Sequence, residues 1–310
     1  MKSKVTFITD KWCDGVPQKG LSNHFHNLFG SLESTDLDVE YKNYFVDELY
    51  LQGKHIDKSF NSIIEDGPDL VIISFLGVSP INPSIEMLTK LSEKGIKVCV
   101  MWPDTGYAWA RDKIKELEEV VDLQVSWDME EDDLLAKNHI WLWTPEDQRL
   151  YYPDKHSVDV SFVGSLRGYA DRFEYLKYAV EKGMIDVPNI TGGQRENNLT
   201  AEEYARRIRT SKININFPES PSGRNQCKGR VFESLASKTL LLEKKSEAAA
   251  RYFKPDVDYV EFDGLEDFVN KIEYYKVNEK EANEIALRGC EKYMNTYSAN
   301  KFWGRVFDEL

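Results

Sequence analysis

Residues 211–243, SKININFPESPSGRNQCKGRVFESLASKTLLLE, contain the local grammar of the whole fold. Ile213–Phe217 is a short run dominated by β-branched and aromatic residues, and it breaks into a polar loop rich in Pro, Ser and Gly. From about Gly229 to Ser237 the apolar residues recur at helical spacing, and Thr239–Glu243 is again a continuous apolar run. Strand, loop, helix and strand in that order describe a βαβ unit, with strands buried on both faces of a parallel sheet.

The same alternation extends outward in both directions. On the N-terminal side, Val158–Val163 reads as a strand, Asp171–Lys182 as a helix, Asp186–Ile190 as a strand and Ala201–Thr210 as a helix. On the C-terminal side come a strand at Tyr259–Phe262 and helices over Leu265–Tyr275 and Lys280–Asn295. A second set of elements occupies the first half of the chain. Val5–Thr9, Asp69–Leu76, Lys97–Trp102, Leu123–Trp127 and His139–Trp143 read as strands, with helical patterns over Leu21–Leu32, Ser84–Lys94 and Trp109–Val120. Thr144–Ser157 carries two prolines and many charges without apolar periodicity, which marks a connection between domains.

The expected fold is therefore α/β, with two Rossmann-like domains in tandem whose sheets present their carboxyl ends to a shared cleft. The expected division is 1–150, 151–297 and a final helix, 298–310, packing back on the first domain. A length of 310 residues gives each domain enough chain to bury its own core. The formal net charge of −13 offers no general attraction to polyanions, so a nucleic-acid partner would need a local basic patch, for which Arg206, Arg207, Arg209 and Lys212 are the candidates. Cys13, Cys99, Cys227 and Cys290 are far apart in sequence and form neither a disulfide framework nor a zinc pattern. The N-terminus enters a strand-like run directly, and no window approaches the ~18 apolar residues of a membrane span. A cytoplasmic protein is expected.

Three loops carry the candidate chemistry. The first, Asp14–Gly20, leads from a strand to a helical pattern and could bring backbone N–H groups to an anion. The second follows Val158–Val163: Gly164-Ser-Leu-Arg167-Gly168, then Arg172 at a helix start, joins small residues with guanidinium groups suited to a diphosphate. The third lies in the opening stretch, where Asn225, Lys228 and Arg230 surround a helix N-terminus and Glu233 sits one turn inside. Two cations and a helix dipole suit a nucleotide diphosphate, and a carboxylate can accept hydrogen bonds from both ribose hydroxyls. An ordinary surface loop or an intrahelical pairing of Glu233 is the structural alternative. Asp104, at the end of a buried strand, is the candidate to position an acceptor or take its proton, with Asp10 and Asp14 as rivals and an Asx-turn or N-cap as the bland use. The acidic run Asp128–Asp133 reads as a solvated helix start rather than a metal site. His24 and His26 are two apart, on different helix faces, and read as core or surface residues, and the tryptophans of the first half read mostly as core.

The runs DVSFVGSLRGYADRFEYL (159–176), SKININFPESPSGRNQCKGRVFESLASKTLLLE (211–243) and DYVEFDGLEDFVNKIEYY (258–275) resemble the CgeB-like, spore-maturation-type glycosyltransferases, whose wider relatives are the retaining GT-B glycosyltransferases. The resemblance covers about residues 158–300; over the first domain only Pro17-x-x-Gly20-x-x-x-His24 is similar to the family's first loop. It implies a GT-B enzyme that moves a sugar from a nucleotide-sugar donor, a UDP-sugar above all, to an acceptor without a metal or other cofactor. Glu233 matches the second glutamate of the family's pair, which holds the donor ribose; the first falls on Asn225. Arg172 and Lys228 match residues that neutralise the diphosphate, with Arg230 a further candidate and Gly20 facing the phosphates. The acceptor is open: a glycan, a small molecule, a protein or a modified DNA base. A sugar-nucleotide epimerase and an inactive nucleotide-sugar-binding protein are the alternative readings, the latter suggested by Asn225.

Overall fold

The computed structural model describes residues 3–22, 24–128, 131, 134–166, 170–191, 199–220 and 223–310. Contacts divide the chain into two compact units, one made of 1–144 with 299–310 and the other of 145–298.

The first unit is built on a six-stranded sheet, every pair parallel, in the order β2-β1-β3-β4-β5-β6. Its strands are β1 (Ser3–Thr9), β2 (Val39–Phe45), β3 (Leu70–Ser74), β4 (Lys97–Trp102), β5 (Leu123–Ser126) and β6 (His139–Trp141). Helices α1 (Val46–Leu51), α2 (Phe60–Asp66), α3 (Ile85–Glu93) and α4 (Ala108–Glu116) lie between them. β3 is buried along its whole length, as its unbroken LVIIS run requires. β2, α1 and α2 lie in a stretch with no expected element. β2 is the sheet edge, and its alternating VEYKNYF leaves Glu40 and Lys42 in solvent, so it lacks the continuous apolar run that marks its neighbours. The helical pattern over 21–32 is partly a π-helix, Phe25–Gly30, running into Ser31–Glu33. Ser84 caps α3 by accepting from Met87 N–H at 3.1 Å.

The second unit has five parallel strands in the order β11-β10-β9-β7-β8. They are β7 (Val158–Val163), β8 (Ile190–Thr191), β9 (Ser211–Asn216), β10 (Leu240–Lys244) and β11 (Val260–Phe262). Helices α5 (Ala170–Glu181), α6 (Ala201–Arg209), α7 (Gly229–Ala236), α8 (Leu265–Val277) and α9 (Glu279–Lys292) complete it, with a short turn at Glu247–Ala250. The strand expected over 186–190 is instead a 3₁₀ turn, Val187–Asn189, leading into the two-residue β8, because Pro188 fixes a turn geometry and supplies no ladder N–H. α6 begins with a capping box formed by Thr200 and Glu203.

The last helix, α10 (Ala299–Asp308), joins the core of the first unit. Trp303 is fully buried, edge-on to Phe7 at 6.1 Å, and its indole N–H donates to Ser31 Oγ at 2.9 Å. Phe302 meets Trp127 and Trp143 edge-on, so these tryptophans are core residues, as expected. In the second unit α9 approaches the chain so closely at Gly289 that a Cβ there would collide with the Asp258 carbonyl oxygen and lie 2.7 Å from Leu235 Cδ2 on α7. A backbone atom cannot swing aside, so Gly289→Ala is expected to destabilise the protein by about 1–3 kcal/mol, read from urea unfolding.

Candidate functional site

The candidate residues fall in both units, and each group is described within its own unit. In the second unit they gather where β7 and β9 end and α7 begins. Gly164 follows β7 directly, and the Arg230 guanidinium occupies the space its side chain would need: a Cβ would stand 2.9 Å from Arg230 Cζ and 3.2 Å from the Phe162 ring. Arg230 lies over that ring at 5.1 Å and donates from Nη1 to Oδ1 of Asn216, the last residue of β9. Its buried Nε has no hydrogen-bond partner among the described residues. Asn216 is fully buried, and its Nδ2 donates to Glu243 Oε2 at 2.7 Å.

One turn into α7, Glu233 is 9% exposed and accepts from Tyr151 Oη at 3.2 Å and from Tyr204 Oη at 2.9 Å. Burial raises the Glu233 pKa; the Arg230 charge and the two tyrosine hydrogen bonds oppose it. Burial also keeps both phenols protonated well above their ordinary range, so each remains a donor. The intrahelical pairing weighed for Glu233 is not what its side chain makes. Each carboxylate oxygen retains a second acceptor position beyond its tyrosine.

Lys228 is the N-cap of α7; its side chain donates to Gln226 and makes no capping hydrogen bond to the helix. Arg172, expected on the diphosphate, is 4% exposed and donates to the carbonyls of Ser165 at 2.6 Å, Phe217 at 3.4 Å and Glu219 at 3.5 Å. It thus holds the loops after β7 and β9 together, with its guanidinium over the rings of Phe162 and Phe217. Asn225 is exposed and pairs with Glu219 in an isolated antiparallel bridge. Arg167 and Gly168 lie outside the described residues. Within the expected basic patch, Arg209 is 5% exposed and bound to Asp154 and Glu202, and Lys212 pairs with Asp159 and Glu279, whereas Arg207 donates to the uncharged Asn189 amide.

In the first unit, Gly20 has φ of 80° and closes the loop after β1, with its carbonyl accepting from Cys13 N–H at 3.0 Å. Two 3₁₀ turns, Cys13–Gly15 and Pro17–Lys19, fill that loop. At the end of β1, Asp10 is 2% exposed and its Oδ1 meets His24 Nδ1 at 2.9 Å. Burial alone would raise the Asp10 pKa; the hydrogen bond and charge of His24, with a smaller contribution from Ser22, outweigh it and hold the carboxyl below its usual range. His24 is therefore neither a core nor an idle surface histidine. It lines a pocket of about 590 Å³ together with Phe75, Leu76, Trp102, Asp104 and Trp109. Asp104 does not cap α4, whose N-cap is Tyr107. Asp128 is not a solvated helix start: it is 5% exposed, accepts from Thr105 N–H and Oγ1 at 2.7 Å each, and burial pushes its pKa up to about 6. Met129, Glu130, Asp132 and Asp133 of the same run lie outside the described residues, and Glu131 pairs with Arg111. Among the described residues no group of three or more His, Cys, Asp or Glu is placed to hold a metal ion.

Sequence reasoning missed Tyr151, Tyr204, Asn216, Glu243 and the linkage of Asp10 to His24. The signal for the last was a carboxylate at the end of the first strand and a histidine at the next helix start, which is a pairing only once the loop between them folds back.

Residues 154–307 match the family model described as glycosyl transferase-like. Over these residues the chain is similar to that family. Among solved structures, an alpha-glucosyltransferase in complex with UDP-glucose and DNA containing an abasic site matches with a TM-score of 0.64 at 11% identity, over 99% of each chain. Anabaena HepE in complex with UDP and glucose matches with a TM-score of 0.62 at 8% identity, over 99% of this chain and 100% of that one. Sucrose-phosphate synthase from Thermosynechococcus elongatus matches with a TM-score of 0.61 at 10% identity, over 99% of this chain and 98% of that one. No curated protein matches by sequence. The fold is that of the GT-B glycosyltransferases, and the expected class, a glycosyltransferase, is borne out. No helix among the described residues is long and apolar enough to cross a membrane.

In the second unit a Gly164 side chain would strike the end of the Arg230 side chain and the Phe162 ring, and φ of 158° at this position is one that L side chains rarely adopt. Gly164→Ala should therefore lower the melting temperature through backbone strain and also turn the Arg230 guanidinium away from Asn216. Affinity for pyrophosphate, measured by calorimetry, should fall by about tenfold, the loss of one charge-assisted hydrogen-bonding group.

Proposed function

We propose that the protein transfers a sugar from a UDP-sugar to an acceptor hydroxyl, with the donor's nucleotide held in the second unit around α7. The observation that carries this reading is the pairing on one helix of Arg230, held against Gly164 and Asn216, with Glu233 one turn further in, beside an N-terminus whose N-cap residue, Lys228, makes no side-chain cap. Cations and oriented N–H groups at that point favour a diphosphate in the ground state, and favour it more as charge develops on the departing UDP. Lys228 and Arg230 are the residues that meet that charge, so no divalent ion is required for departure. Glu233, steadied by two tyrosine hydroxyls, accepts from the ribose diol. The CgeB-like resemblance supports membership of that narrower group and, with it, retention of the anomeric configuration. UDP as the nucleotide is supported by the UDP complexes of the fold neighbours.

The acceptor is assigned to the first-unit pocket. The Asp10 carboxylate fixes the His24 ring through Nδ1, which leaves Nε2 as the nitrogen for an acceptor hydroxyl, and this pair takes the role expected of Asp104. The pairing of Arg209 and Lys212 with carboxylates favours a small hydroxyl-bearing acceptor over duplex DNA.

Two measurements test the reading. In wild type, 2′-deoxy-UDP should bind about tenfold more weakly than UDP, and Glu233→Gln should remove that difference by weakening UDP alone; equal discrimination in both proteins would take Glu233 off the ribose. Asp10→Asn should lower kcat for sugar transfer by roughly 100-fold with UDP affinity unchanged, because the histidine loses its anionic partner while the second unit is untouched. Hydrolysis or transfer rates that are the same in both proteins would remove the pair from the reaction.

A further inference from the structure

Glu243, near the end of β10, is a titratable group fully removed from solvent. Its Oε2 accepts from Asn216 Nδ2, and its Oε1 has no hydrogen-bond partner among the described residues. Asn216 is its register partner on β9 and places Oδ1 on the Arg230 guanidinium. This amide can serve both neighbours in only one orientation, since a flip would set its N–H groups against the guanidinium. The carboxyl therefore fixes which face of Asn216 the arginine meets.

The groups around Glu243 come from each packed element. Arg230 lies on α7, Glu219 in the loop after β9, and Glu261 and Tyr259 at β11, with Cys227 just ahead of α7. Lys244, next along β10, is paired with Glu219 and Asp171. Burial keeps the Tyr259 phenol and the Cys227 thiol protonated. Burial likewise pushes the Glu243 carboxyl up to about 8, against the pull of Asn216 and Arg230 and with the help of Glu219 and Glu261.

We propose that Glu243 is a positioning residue of the donor site, which orients the Arg230 guanidinium through Asn216 and makes its hold on the donor diphosphate depend on the charge of Glu243. The proposal rests on the placement of the nucleotide around α7. With Glu243 neutral, the arginine's charge is left for the phosphates. With Glu243 ionised, a negative charge one amide away offsets the arginine, and anion affinity falls. By reciprocity, UDP binding favours proton uptake at Glu243.

The test is calorimetric titration of the full chain with UDP at pH 7 and pH 9, for wild type and for Glu243→Gln. The variant keeps an oxygen for Asn216 Nδ2 and loses the proton. Ionisation of UDP itself is common to both proteins and cancels in their ratio. Wild-type Kd should rise about 5- to 10-fold more than that of the variant across this range. A parallel change in both proteins, whatever their melting temperatures, overturns the proposal and leaves the donor-site reading standing. If wild type binds no UDP at either pH, both fall. Should the variant fail to fold, wild type titrated at pH 8 in two buffers of different ionisation enthalpy gives the answer: net proton uptake supports the linkage, and none overturns it.

Discussion

A guanidinium fills the place where Gly164 has no side chain, and the second unit's candidate site is organised around it. Arg230 packs on the Phe162 ring on one side and bonds Asn216 on the other, so its charge is fixed in position before any ligand arrives. A flexible arginine in solvent would lose rotamer freedom on binding a phosphate; one held by a ring and an amide has already lost it. That preorganisation requires a residue without Cβ at 164, an amide at 216 and an apolar ring at 162. Two separate segments of sequence, the ends of β7 and β9, thus converge on one side chain.

The burial of charge follows the same logic. Glu233 is shielded from solvent and receives one phenolic donor on each oxygen, so its desolvation is met by hydrogen bonds within its own unit. Arg172 is more deeply buried than Arg230, and its donors go to backbone carbonyls of two loops. One arginine holds the loops in place; the other lies over the Phe162 ring and bonds Asn216. Glu243 differs from Glu233 in having one oxygen without a partner among the described residues, and this difference separates a satisfied carboxylate from one whose protonation state is open to its surroundings.

The parallel sheets were legible because buried strands such as Leu70–Ser74 are continuous apolar runs that no other environment explains. β2 was not, since an edge strand with Glu40 and Lys42 in solvent differs little from a polar loop when read alone. Around α7, residue types and order indicated an anion site and a carboxylate one turn in. They could not reveal that Tyr151 and Tyr204, 82 and 29 residues before Glu233, would donate to it. Long-range pairing leaves no local periodicity. For the same reason Asp10 and His24 were weighed separately, although 14 residues of folded-back loop bring them to hydrogen-bonding distance. Arg172 was read as a ligand contact from its residue type, and its backbone partners show how a guanidinium can be recruited by carbonyls at strand ends.

A net charge of −13 and an anion-binding role are compatible because charge acts locally once it is partly desolvated. Exposed acidic residues spread over the surface are screened within about 10 Å at ordinary salt, whereas Arg230 lies against an aromatic ring. Of the cations that could have made a broad basic face, Arg209 and Lys212 are instead bound to Asp154, Glu202, Asp159 and Glu279. The proposed donor site offers a ligand a small number of oriented donors at one helix N-terminus. Such an arrangement selects a compact polyanion of matching shape over an extended one, since the latter gains most from many phosphates contacting a wide positive surface. On the proposed donor-site reading, the acidity of the rest of the protein opposes long polyanions, and a single diphosphate is recognised by geometry.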